Sequence, residues 1–213
     1  MTTAQTGGRR TPGRPRSRAA EEAILKAALA LFLDHGVEGA SIERIARRAG
    51  VGKTTIYRRW SSKETLLAQA VGRVREDAER DMGVTDFRDF AEMPLAPTLR
   101  RMMEAGAELM ASAENRKLLA RLIGSVQSHP RLMQIYWETY LRPRREAFGV
   151  LLERAKARGE LPASADTAML QDMMGGAMLH RLLIDPAPPT AEDLRDYLAR
   201  LMQQLGLAEP AEK

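Results

Sequence analysis

Apolar residues recur along this chain at intervals of three and four, the spacing that gathers them on one face of an α-helix. In the first such run Ala20, Ile24, Ala27, Ala28, Leu31 and Phe32 share a face, which predicts a helix over about residues 19–34. Ser17 is placed to be its N-cap, Glu21 and Glu22 put acid in its first turn, and Gly36 and Gly39 end it in a turn. A short helix is predicted from Ser41 to Ala49, broken by Gly50, and another from Lys53 to Arg59. The run Ser61-Ser62-Lys63-Glu64 reads as a capping box, with Ser61 as N-cap and Glu64 three residues on. It opens a longer helix through Leu66, Leu67, Ala70 and Val74.

Residues 83–97 hold one Gly and two Pro and read as a loop between two modules. Beyond them helical spacing resumes near Leu99, Glu114, Pro130, Asp166 and Ala191. The stretch from Arg131 to Arg158 is long, and Pro143 inside it predicts a kink or break. Gly159 and Pro162 mark its end, and Asp185 to Pro189 separate the last two helices. No segment alternates apolar and polar residues as a half-buried strand does, so the fold is expected to be all-α.

Composition agrees. Of 213 residues 44% are apolar but only 5% aromatic, and Ala, Leu and Met, which favour helices, dominate. Cysteine is absent, which excludes disulfides, thiolate metal ligands and a cysteine nucleophile. No apolar stretch follows the N-terminal basic residues and no run of eighteen apolar residues occurs. The expectation is a soluble, cytoplasmic protein without a membrane span. Charge then sharpens the picture. Residues 1–60 hold twelve Arg and Lys against five Asp and Glu, whereas the remainder holds 21 basic against 23 acidic residues. Seven of those twelve lie beyond Arg18, within helical pattern, so a cationic module suited to a polyanion sits on a near-neutral body.

The same region carries the chemistry. A helix-turn-helix needs a small residue where its helices cross, a glycine between them, and apolar residues locking the second helix. Ala46, Gly50 and Ile56 meet these needs, and Ile45, Val51 and Trp60 complete a small core. Gly52-Lys53-Thr54 is also the tail of a phosphate-binding loop. That motif requires a glycine five residues earlier, where Arg47 stands, and a preceding strand where Ile42–Ala49 reads as helix. A nucleotide hydrolase is excluded on both grounds.

The pieces Ile24-Leu25, Ala27-Ala28, Leu31-Phe32, His35-Gly36, Ser41-Ile42, Ile45-Ala46, Ala49-Gly50-Val51, Ile56-Tyr57, Lys63-Glu64 and Leu66-Leu67 together resemble the TetR family of bacterial transcriptional regulators. The resemblance covers about the whole of that family's DNA-binding domain. It implies a three-helix head, residues 18–64, between a disordered basic arm at 1–17 and a helical regulatory and dimerisation domain at 65–206, with a flexible tail at 207–213. It implies double-stranded DNA as partner and the helix from Lys53 as the reader. Lys53, Thr54 and Thr55 would meet bases or a phosphate, Tyr57 the backbone, and Arg58 or Arg59 a guanine edge. Lys63 matches a phosphate-contacting lysine, and Ser41 and Arg44 join the same surface. Arg14 and Arg16, in Gly13-Arg14-Pro15-Arg16, resemble the core of an AT-hook and either enter a minor groove or add only nonspecific attraction.

For the second module the resemblance implies a homodimer joined by the last two helices. Leu170, Met173, Met174, Ala177, Met178 and Leu182 form one stripe, and Leu194, Tyr197, Leu198, Leu201 and Leu205 another. It implies a small-molecule effector too, with Met103, Met110, Ile123, Met133, Trp137, Tyr140, Phe148, Met174 and His180 as candidate lining. His35, His129 and His180 are dispersed, so no metal site is expected; no cofactor and no catalytic constellation is expected either. The reading is a ligand-responsive repressor of a pseudo-palindromic operator. The alternative is an adaptor that keeps the head but does not act at promoters.

Overall fold

The computed structural model describes residues 14–81 and 93–207, with side chains from 18 to 80 in the first span, and among the described residues there is no strand. Most of the basic arm, the tail beyond 207, and the side chains of Arg14 and Arg16 lie outside the described residues.

Helix α1 runs Arg14–Gly39. It begins before Ser17, so the N-cap expected there is not where the helix starts. At Gly36 the backbone leaves the helical path with φ 67° and ψ −168°, a left-handed φ that only a residue without Cβ adopts freely. Helix α2 spans Ile42–Ala49, and the Ser41 hydroxyl accepts the Arg44 N–H as its N-cap. Gly50 closes α2, and α3 follows at Lys53–Tyr57. Helix α4, Lys63–Asp81, is capped one residue later than expected: the Ser62 hydroxyl accepts the Thr65 N–H at 3.1 Å. Ser62 with Thr65 replaces the expected pair of Ser61 with Glu64, because the turn after α3 extends through Ser61.

Helix α5 spans Leu95–Ala111, four residues earlier than the expected start at Leu99. Pro97 lies in its first turn, where a missing N–H costs nothing, and Glu160 supplies an acceptor for the Leu95 N–H at 2.6 Å. Helices α6, Ala113–Gly124, and α7, Pro130–Tyr136, come next. A π-turn, Trp137–Leu141, then leads without a break into α8, Arg142–Ala157. The Arg142 N–H reaches back five residues to the Trp137 carbonyl, and Pro143 falls in the first turn of α8. The kink or break expected at Pro143 is thus replaced by a local widening of the helix. Helix α9, Thr167–Leu179, ends in a second π-turn, His180–Ile184, and α10 covers Ala191–Gln204. A reciprocal Thr190–Asp193 capping box starts α10.

Three apolar clusters hold these helices. The first joins Ile24, Phe32, Ile45, Ile56, Trp60, Leu66 and Leu67 to Leu118, Leu122, Leu132, Tyr136 and Tyr140. Its packing therefore crosses residue 64: α1 to α4 share one core with α6, α7 and the first π-turn. The second cluster gathers Leu95 and Leu99 with Leu151, Leu152, Leu161 and Met202; the third gathers Leu182, Leu194 and Leu198. Helix α4 is tied to the body at two points. Arg144 donates to both carboxylate oxygens of Glu79 at 2.6 Å, a bidentate pair. About two turns earlier on α4 the buried Tyr140 ring lies against Gly72, and a Cβ there would come within 2.2 Å of ring carbons.

Candidate nucleic-acid interface

Helices α2 and α3 cross over a small apolar base. Ile42, Ile45, Ala46 and Ile56 are buried, and Val51 packs beside them. Trp60 is buried as expected, and its indole N–H donates to the Gln69 side chain at 2.6 Å, so its one polar atom is satisfied inside the packing. With Ile56 turned inward, the remaining side chains of α3 face outward: Lys53, Thr54, Tyr57 and the adjoining Arg58 are exposed, and Thr55 is half-buried. Tyr57 leaves 55% of its surface to solvent, a large value for an aromatic side chain with no packing duty. Arg47 and Arg48, on the outer side of α2, are exposed as well.

Several of the expected contact residues already have partners. Lys53 donates to Glu43 of α2 at 3.0 Å, and this hydrogen bond holds the Glu43 carboxyl below the usual carboxylate range. Arg59, in the turn after α3, reaches back and donates to the Thr55 carbonyl at 2.7 Å. The Lys63 ammonium donates to the Val37 carbonyl at 3.1 Å, and the Ser41 hydroxyl is engaged as a cap. Arg44 is half-buried. The outward cationic face is therefore built chiefly from Lys53, Arg58 and the α2 arginines, with Tyr57 and Thr54 beside them.

Glu43 was not foreseen, because its pairing with Lys53 spans ten residues across the turn and belongs to no helical repeat. The expected effector residues do not converge. Met133 and Tyr140 belong to the first cluster, Phe148 and Met174 pack against the second, Met110 against the third, and Met103 touches both of the latter. Ile123 and Trp137 are 41% and 42% exposed, and His180 is exposed on the second π-turn. Among the described residues none encloses these three, and their helix faces turn outward. Among the described residues no group of three or more His, Asp or Glu is placed to hold a metal, and no helix is long and apolar enough to cross a membrane.

Against this geometry, two family descriptions match the chain: bacterial regulatory proteins of the tetR family over residues 24–70, and the tetracyclin repressor-like C-terminal domain over residues 93–201. The chain belongs to the TetR family. As a TetR-family member it is a DNA-binding, helix-turn-helix transcriptional regulator, and its relatives are regulators rather than enzymes. It is 29% identical to YdeS of Bacillus subtilis, an uncharacterized HTH-type transcriptional regulator, over 88% of each chain. It is 28% identical to the DNA-binding transcriptional repressor TetR of Mycobacteroides abscessus, over 76% of this chain and 81% of that one. The crystal structure of the TetR-family regulator SCO0332 superposes with a TM-score of 0.60 at 27% identity, covering 90% of this chain and 99% of that one. This TetR-family chain thus pairs an N-terminal head, which contains the exposed α3 face, with a helical C-terminal domain.

Proposed function

We propose that this regulator is a ligand-responsive repressor that binds a pseudo-palindromic operator as a homodimer. The observation that carries the two-headed reading is α9. It is rich in Met and Leu, yet it buries none of its residues within the protomer. Its inner face packs on the body through Leu170, Met174 and Met178, but the apolar face with Met169 and Met173 is left open and invites a second copy of itself. Two heads set about 34–36 Å apart would reach successive major grooves on one side of a duplex. Repression is supported by the repressor TetR of M. abscessus among the relatives. The effector reading rests on four of the nine candidates: Met103, Met110, Phe148 and Met174 pack among α5, α8, α9 and α10, where adaptable methionines suit an apolar ligand.

On DNA, Lys53, Thr54 and Tyr57 carry the reading, with Arg58 beside them. Selection from random duplexes tests it. An enriched palindrome with two half-sites is the expected result, and no enrichment at moderate ionic strength, with or without candidate effectors, refutes it. Two substitutions separate roles within the face. Glu43→Gln frees Lys53 from its carboxylate and removes a negative charge from the DNA side, so affinity for any duplex should rise and the salt slope steepen by about one unit. The unfolding midpoint should stay where it is, since the pair is exposed on both sides. Lys63→Ala should flatten the slope by about one unit if its ammonium exchanges the Val37 carbonyl for a phosphate. An unchanged slope would assign Lys63 to holding Val37 alone.

A further inference from the structure

Besides α4, which joins it covalently to the body, and the apolar core it shares with α6 and α7, the head has a polar attachment. Where α1 breaks at Gly36, the carbonyls of its last turn lose their helical partners. The body replaces them. Arg121 of α6 donates Nε to the Leu33 carbonyl at 3.1 Å and Nη2 to the Asp34 carbonyl at 3.2 Å. Lys117, one turn earlier on the same face of α6, pairs with the Asp34 carboxylate at 3.1 Å. After α6, His129 Nε2 lies 2.7 Å from the Glu38 carboxylate, while its Nδ1 is 2.9 Å from the Ser128 hydroxyl. From the head's own side, Lys63 holds the Val37 carbonyl. Residues 33–38 are thereby gripped on both sides of the break.

These contacts span an open groove of about 230 Å³, lined in part by His35, Glu38, Arg121, Ser125 and His129. Beside the apolar core that α1 shares with Leu118 and Leu122 of α6, bridging side chains therefore tie the two helices together across this groove. The shared apolar core is non-directional and lets α1 slide against α6 at little cost, whereas donors aimed at fixed carbonyls and carboxylates hold one angle between them. We infer that Lys117, Arg121 and His129 are positioning residues that fix the pitch of the DNA-binding head on the body, with Arg121 the principal one. The inference rests on the DNA-binding, two-headed reading above: pitch matters because it sets the separation at which two heads meet their half-sites.

The test is a selection among duplexes whose two half-sites are held constant in sequence while their separation varies. The wild-type chain should prefer one separation sharply. Arg121→Ala should accept separations about one base pair to either side and bind the preferred duplex about ten-fold more weakly, within the usual range of such coupling. Base preference inside each half-site should not change, because α3 is untouched. Arg121→Lys keeps a donor but cannot fork across two carbonyls, so it should fall between the two. If Arg121→Ala does not fold, Lys117→Ala combined with His129→Ala removes the flanking contacts and carries the same expectation. A folded variant that keeps the sharp wild-type separation overturns the inference, even if its unfolding midpoint has dropped. A wild-type chain that selects no duplex, or only single half-sites, overturns the two-headed reading and the inference with it, and does so before any variant is made.

Discussion

Aspartate at both Met169 and Met173 is expected to convert a dimer into a monomer and to lower operator affinity by about 10²–10⁴-fold, the gain that linking two binding heads supplies. The two residues are four apart on α9 and therefore share a face, and they are 54% and 49% exposed in the protomer. Leu179 and Ile184, further along, are exposed too, and a Cβ at Gly175 or Gly176 would meet open space. Within one protomer the new carboxylates would point into water and leave the fold intact. In a two-helix-by-two-helix interface they would have to be stripped of water with no partner, which costs far more than any pair of contacts returns. Sedimentation at matched protein concentrations, with far-UV circular dichroism as the control for folding, reads the outcome. A variant that remains dimeric at wild-type affinity would move the interface off α9.

The second large effect belongs to the seat of α4. Gly72→Ala places a methyl group 2.2 Å from the carbons of the Tyr140 ring, and neither partner has room to yield. Tyr140 is held in the shared core next to Tyr136, with ring centroids 5.6 Å apart, and burial pushes its hydroxyl pKa up. Alanine should therefore destabilise the chain by about 1–3 kcal/mol, as overpacking of a filled core does. For a protein of this size that is a drop of about 2–4 °C in midpoint for each kcal/mol. The diagnostic result is non-additivity. Tyr140→Ala alone leaves a cavity, but combined with Gly72→Ala it gives the new methyl group space, so the double variant should be more stable than the sum of the two losses predicts. Simple additivity would show that α4 and the first π-turn are not in mutual contact.

What could be read in advance, and what could not, follows from the range of each interaction. The head was legible because its requirements are local: a small residue at Ala46, a turn glycine at Gly50 and an inward Ile56 all lie within α2, α3 and the turn between them. The cap of α4 was missed by one position. Ser61 and Ser62 satisfy the same pattern, and only the length of the preceding turn decides between them. Proline misled twice. Pro97 and Pro143 read as interruptions in the sequence, yet Pro97 falls in the first turn of α5, where the N–H it lacks has no intrahelical partner to lose, and Pro143 is taken up by the widened turn just before it in a helix that does not break. The effector residues show a deeper limit. Helical spacing tells which residues share a face but not which face turns inward, so Ile123, Trp137 and His180 were grouped with residues that are packed inside. Lys53 with Glu43, and Arg121 with Leu33 and Asp34, meet across turns or between helices, at separations that no periodicity records.

The two tryptophans have a practical consequence. Trp60 is 3% exposed and hydrogen-bonded in the head, whereas Trp137 is 42% exposed on the body, and the chain has no others. An ionic collisional quencher such as iodide should extinguish the emission of Trp137 while sparing that of Trp60. The unlabelled molecule therefore carries two optical channels, one in the head and one in the body, and a rearrangement of the head can be followed in the shielded channel.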